Sequence, residues 1–454
     1  MAAVSLLALS LLDAGSFGSL WSLTMALTAM AVGGSAAAGS AGAGSDGAGD
    51  FGSMGGMGSL FGGGGGMGPS MSGAADVVPL GVTLVGTVVL WFAFSRRLRQ
   101  ERQRRFTGGE LAVRAAGAGS AALVTLMIVA GLAQGSVNVP ASAMTGMGGT
   151  GGGQSAGGLG GASGGLGGGG TGSQSAMAYH VGAGSAGFGA LLWVAVVIGA
   201  GCLISRRVRL PLGGALDGLR TAWGPSVSAV VRTILVLVAV PLVALALLGA
   251  VVGGRVGSAA GAALLLVPNA LAVFLTLGVG SSWTAGMHPV RSDGSGNALA
   301  SLMGGAGGTS GMGNTQQPDR TEHLRSLTAG GWPLWLAALA VTGLILLVCA
   351  YRAARATQPG HKLSLLHYRG PLARHLGMAE RFAVVTAVVL GMAAFLVAAS
   401  GHFGVSMLGS QMGGMRAELS GSVLRTVVFG LLAGALAGFA GSLLSAVRSG
   451  RGSR

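Results

Sequence analysis

The sequence predicts an all-α fold, a polytopic bundle of transmembrane helices, and three observations carry that prediction. Charged residues make up only 9% of the chain and hydrophobic residues 51%, with mean hydropathy +0.69. An ordinary soluble domain carries roughly 25% charged residues and could not cover its surface with so few. Apolar runs of about 20 residues recur, each long enough to cross a hydrocarbon core of about 30 Å as a helix that satisfies its own backbone. Basic residues gather at the ends of those runs, and no alternating strand pattern of the kind a transmembrane barrel needs stands out.

The clear spans are 76–95, 110–134, 188–205, 229–251, 331–351, 381–400 and 422–447. Two kinds of connection separate them. One kind is basic: Arg96, Arg97, Arg99, Arg102, Arg104 and Arg105; Arg206, Arg207 and Arg209; the segment Arg352 to Arg374; and the tail with Arg448, Arg451 and Arg454. The positive-inside rule makes these cytoplasmic. The other kind is rich in Gly, Ser and Met, at 35–75, 136–187, 282–330 and 401–420. These are expected outside the membrane and disordered, since such composition buries too little apolar surface to offset backbone entropy; Gly62 to Gly66 and Gly167 to Gly170 are the extreme cases.

The segment 259–281 disturbs the alternation. Counted as a full span, it would put 282–330 inside and the Arg352 to Arg374 connection outside, against the charge rule. A re-entrant course restores parity, with a break at Pro268-Asn269, because proline removes a donor and clashes with the preceding turn. The competing reading is a kinked span with the charge rule violated.

That parity exposes a repeat. A short apolar piece at 2–12, a segment at 18–34, a Gly/Met loop, a span, an Arg cluster, a span, a Gly loop, a span and an Arg cluster match the order of elements from 229 onward. LTAMAVGGS, ending at Ser35, resembles LTLGVGSS at 275–282. Two like-oriented membrane repeats follow, 1–210 and 211–454, each with a re-entrant segment. The piece 2–12 would span only about 16 Å as a helix and has no basic flank, so upstream residues are expected before Met1, with a cleaved signal peptide as the alternative.

Net charge of +15 could suggest nucleic acid, but the basic residues flank apolar runs and do not tile one face, so no nucleic-acid partner is expected. Cys202 and Cys349 have no metal or disulfide spacing and read as packing residues. Glu110 with Arg114, and Glu380 with Arg381, read as charges at cytoplasmic helix starts, where acid suits the macrodipole. Asp13 reads as interfacial.

Pro268 and Asn269 are the candidate substrate-binding residues, because a helix break at membrane depth exposes carbonyls and half-helix ends, as transporters use them. Methionine pairs such as Met54/Met57, Met144/Met147 and Met412/Met415, near His180, His288 and His402, could suit Cu(I). Low-complexity Met-Gly sequence gives such spacings freely, so no metal and no cofactor is expected. Gly430, Gly434 and Gly438 have the spacing that lets helices approach closely. No P-loop, G-x-S-x-G or H-E-x-x-H occurs, which argues against the common enzyme classes and an ATP-driven pump.

DAGSFGSLWSLTMALTAMAVGGS, the span VPLGVTLVGTVVLWF followed by SRRLR, and LLLVPNALAVFLTLGVGSSW together resemble the streptophobe family, very hydrophobic multi-pass proteins of streptomycetes. The preference for Arg, with Lys362 the only lysine, accords with such an actinobacterial genome. The resemblance implies a multi-pass protein with Gly-rich external loops and carries over no catalytic or binding residue. The expectation is a non-enzymatic membrane protein of the bacterial cell membrane, an envelope-associated or accessory protein contacting the lipid bilayer and, through its external loops, cell-envelope or protein partners. The alternative is a secondary transporter or permease with its site at Pro268-Asn269.

Overall fold

A computed structural model describes residues 1–16, 18–40, 70–100, 108–139, 175–204, 214–252, 254–290, 320–329, 332–357, 371–407 and 410–451. The helices among them are α1 (Ala2–Leu11), α2 (Leu20–Met30), α3 (Leu80–Gln100), α4 (Gly108–Leu132), α5 (Ala183–Ile204), α6 (Gly214–Val252), α7 (Gly254–Gly278), α8 (Leu334–Thr357), α9 (Pro371–Val397) and α10 (Val423–Arg451). Six of them, α5 to α10, are long and apolar enough to cross a membrane. Apolar side chains cover their flanks, Leu436 and Val251 being 73% and 84% exposed, as lipid-facing positions require.

The eight principal strands are β1 (Ala36–Ser40), β2 (Ser70–Asp76), β3 (Gly135–Val139), β4 (Ser175–Val181), β5 (Trp283–Val290), β6 (Arg320–His323), β9 (Ala399–Met407) and β10 (Ser410–Gly421). They form one antiparallel sheet in the order β3-β4-β1-β2-β9-β10-β5-β6. A two-stranded hairpin, β7 (Thr328–Ala329) with β8 (Trp332–Pro333), precedes α8. The described flanks of the Gly-rich loops are therefore strands, which corrects the expectation of an all-α fold with disordered loops. Once paired, these segments satisfy their backbone on each other, something that a count of their apolar side chains misses. The centres of the loops lie outside the described residues.

All four Gly-rich connections thus root at one end of the helix bundle, the sheet end. Helices α3, α5, α8 and α10 leave from it, while α4 and α9 return to it. Arg96, Arg352, Arg355 and Arg448 sit toward the far ends of α3, α8 and α10.

Helix α7 runs unbroken through Pro268, so the sharp return expected at Pro268-Asn269 is not found. Its course is set by what it touches. Gly257 and Gly261 face Leu11 at the end of α1, Asn269 bonds the start of α3, and Gly278 lies against Ala338 and Thr342 near the start of α8. Residues 264–269 meet the sheet-proximal end of α3, and Gly278 meets the first turns of α8. Helix α6 begins at Gly214, well before the expected 229, and passes Pro225 and Pro241 within 39 residues.

Corresponding features recur in the two halves of the chain. The strand order β3-β4-β1-β2 is followed by β9-β10-β5-β6, the same order of connection. Ala36 pairs with Val181, and Trp283 with Gly421; one residue beyond each pair, Gly182 N–H donates to Ser35 O (3.0 Å) and Ser422 N–H to Ser282 O (3.2 Å). Helix α2 ends with Gly33 at φ 98°, its N–H donating to Met30 O (2.9 Å) and that of Gly34 to Ala29 O (3.1 Å). Helix α7 ends alike, with Gly280 at φ 101°, bonded to Leu277 O (2.9 Å), and Ser281 N–H to Thr276 O (3.1 Å). Both are left-handed caps that glycine adopts without a Cβ penalty.

Two cores lie under the sheet. Met25, Ala29 and Val32 of the α2 segment pack with Leu126, Val181 and Ala190. Leu277, Trp283, Ala338 and Val397 form the counterpart, with Leu419 packed on them. Farther from the sheet, Gly430, Gly434 and Gly438 of α10 press on Ala387, Ala383 and Ala379 of α9, the close approach that their spacing predicts.

Candidate functional site

The Pro268-Asn269 pair is where α7 receives the start of α3. Proline at 268 cannot donate to the carbonyl four residues earlier, Leu264 O. Gly81 of α3 lies directly against that carbonyl, an approach that any Cβ there would block. One residue on, Asn269 Nδ2 donates to Val78 O (2.8 Å) and its Oδ1 accepts from Leu80 N–H (2.9 Å). Leu80 is the first residue of α3, whose N–H has no partner within its own helix. Pro268 is buried and Asn269 half-buried. The pair joins two helices, and both polar ends of the Asn269 amide are engaged in doing so.

The helix-start charges divide. Glu110 is the third residue of α4 and Arg114 the seventh, as expected for the first turns. Glu380 and Arg381 instead lie nine and ten residues beyond Pro371, where α9 begins, so they are not at a helix start. Proline suits the first helical position because its fixed φ and missing N–H cost nothing there, which extends α9 upstream of the apolar run. Glu380 is exposed and Arg381 half-buried. Asp13 follows α1 with φ 55°, in the turn that leads to α2.

The sheet is a site that sequence reasoning missed, and its pairing sorts side chains onto two faces. On one face, reading along the pairs, stand Asp76, His180, His288, His323, His402, Arg416 and Glu418. On the other stand Val181, Tyr179, Trp283, Met287, Phe403, Met415 and Leu419. The second face packs its lower rows on the bundle, with Trp283 1% exposed and its Nε1 donating to Thr276 Oγ1 (2.9 Å). The sheet's histidines and these methionines fall on opposite faces, so a mixed Met/His copper site does not form from them. Among the described residues no group of three or more His, Cys, Asp or Glu is placed to hold a metal.

The signal for the sheet was present at 415–420, where Met415, Ala417 and Leu419 alternate with Arg416, Glu418 and Ser420. Cys349 is buried in the helical core among Val230, Leu346 and Phe382, as a packing residue would be; Cys202 is in α5, with its side chain outside the described residues. Comparison with protein-family models, curated proteins and solved structures gives no match to this chain.

Proposed function

We propose that this chain is a non-enzymatic protein of the bacterial cell membrane, built from two like-oriented halves, whose sheet stands outside the cytoplasm as a docking surface for an envelope or protein partner. The observation that carries the reading is the gathering of all four Gly-rich connections into one sheet at one end, with Arg96, Arg352, Arg355 and Arg448 toward the other. The positive-inside rule then makes the sheet end extracytoplasmic. The recurring strand order, register and helix caps support duplication, with α2 and α7 in corresponding places. The resemblance to streptophobes, multi-pass proteins with Gly-rich external loops, agrees with this reading.

The permease alternative drew on a helix break at Pro268-Asn269. The helix is continuous there and the Asn269 amide is engaged by α3, so no observation favours a solute site at that point.

Sidedness labelling tests the proposal. In a background lacking Cys202 and Cys349, a cysteine at Ser326 is expected to react with an impermeant maleimide on intact cells. One at Ser364, in the basic connection, reacts only after permeabilisation. The reverse pattern refutes the orientation and with it the extracytoplasmic role.

A further inference from the structure

We infer that α10 carries a site for one phospholipid of net negative charge, its phosphate held by Arg425 and Ser282 and an acyl chain laid along Val428, Phe429, Leu432 and Leu436. Arg425 is the third residue of α10, and its Nη1 donates to Ser282 Oγ (3.4 Å). Among the described residues this is the guanidinium's one partner, so no carboxylate of the chain neutralises it. Arg425 is exposed and Ser282 half-buried.

Depth decides what that charge meets. Helix α10 is long and apolar enough to cross a membrane, and the 23 residues from Arg425 to Arg448 cover about 35 Å of helix against a hydrocarbon core of about 30 Å. A guanidinium is costly among acyl chains, so with Arg448 at one headgroup layer Arg425 stands at the other. Positions 425, 428, 429, 432 and 436 share one face of the helix, and the four apolar side chains on it are all exposed. Arg425 therefore heads a stripe that faces acyl chains, and one lipid molecule meets both.

The headgroup follows from the donors. The planar N–H groups of a guanidinium match two phosphate oxygens at once. Ser282 Oγ accepts from Arg425, and its own hydrogen has no acceptor among the described residues, so it is left to donate to the same phosphate. A headgroup that ends in an ammonium would bring a second cation beside the arginine, which favours a lipid whose phosphate carries its only charge.

The first half of the chain shows that the fold does not need this arginine. Val181 ends its strand as Gly421 does, and α5 and α10 each begin two residues later, so Ser185 stands where Arg425 does and Ser35 where Ser282 does. There Ser35 N–H donates to Ser185 Oγ (3.4 Å). The same two positions touch in both halves, through a hydroxyl in one and a guanidinium in the other. On the orientation proposed above, the arginine lies at the end of the bundle where the positive-inside rule disfavours it, and the lipid belongs to the outer leaflet.

The test places the photoreactive benzoylphenylalanine at Val428 in the full chain, in nanodiscs of phosphatidylcholine with a minor share of phosphatidylglycerol, and reads the lipid adducts by mass spectrometry. Phosphatidylglycerol is expected among them about fivefold above its share in the disc, the effect of one arginine at a membrane surface. Arg425→Ser, the residue at the matching corner, is expected to return it to that share, as is Arg425→Gln, which keeps a donor for Ser282 without the charge. The same group at Phe188, the matching position on α5, is expected to report the disc share, and Ser185→Arg to raise it, a gain that misfolding does not mimic. Disc share at Val428 in the wild type, or enrichment that survives both Arg425 substitutions, overturns the site. Loss of the enrichment in millimolar inorganic phosphate assigns the site to free phosphate and overturns the lipid. Binding in discs is independent of orientation in the cell, so the site and the sidedness of the protein fail separately.

Discussion

Replacing Asn269 by leucine removes both hydrogen bonds that hold the start of α3 to α7, the donation to Val78 O and the acceptance from Leu80 N–H. Leucine is close in size, so the loss is mainly polar. A hydrogen bond contributes about 0.5–1.5 kcal/mol net in folded proteins, and interhelical bonds in membranes average about 0.6. Two of them set the expected destabilisation at about 1–3 kcal/mol. Asn269→Asp is expected to do no better, since it keeps the acceptor for Leu80 but turns a second oxygen toward Val78 O. The assay is equilibrium unfolding in mixed micelles, titrating a denaturing detergent against a mild one and following the helical signal. The leucine variant should unfold at a lower fraction of denaturing detergent. A wild-type midpoint would refute the assignment of Asn269 to helix docking and would reopen a role in binding solute.

Gly81→Ala, which puts a methyl group against the Leu264 carbonyl, is expected to lower stability by about 1–3 kcal/mol in the same titration. Gly434→Ala, whose Cβ would stand 2.8 Å from Ala383 Cα, is expected to destabilise by a similar amount, whereas Gly343→Ala, with nothing within 4 Å, leaves the midpoint unchanged or raised. Gly421→Ala would drive a methyl group to 2.8 Å from the Trp283 ring, and should lower the thermal midpoint and shift tryptophan fluorescence. Cysteines at Ser72 and Gly404, directly paired across β2 and β9, are expected to form a disulfide on mild oxidation in a background lacking native cysteines, read by peptide mass; failure to do so would refute the register.

Hydropathy alone found the membrane character and five of the six helices long and apolar enough to cross, because a span must be apolar for its whole length; the sixth, α7, was expected to turn back at Pro268, and the expected spans 76–95 and 110–134 are shorter apolar helices among the described residues. Composition separated the Gly-rich connections, whose described flanks gather in one sheet, from the helix ends that carry Arg96, Arg355 and Arg448. The sheet was hidden by its own residues. Strands such as AAAGS at Ala36–Ser40 and SMSGAAD at Ser70–Asp76 lack the β-branched and aromatic side chains by which strands are recognised, and their pairing partners lie far away in sequence. Pro268 misled for a different reason. Proline breaks an isolated helix, yet here a neighbouring glycine occupies the space beside the freed carbonyl and the helix continues. Asn269 read as a solute ligand because nothing local announces that its partners are Val78 and Leu80, 191 and 189 residues away.

The seam between β2 and β9 pairs seven consecutive positions, from Ser70 with Ser406 to Asp76 with Ser400, and it is where the sheet strands of one half meet those of the other. Any displacement of one half against the other must break that ladder as well as the contacts of Asn269 with Val78 and Leu80. A load applied to any strand of the sheet would therefore be carried into both halves of the chain at once.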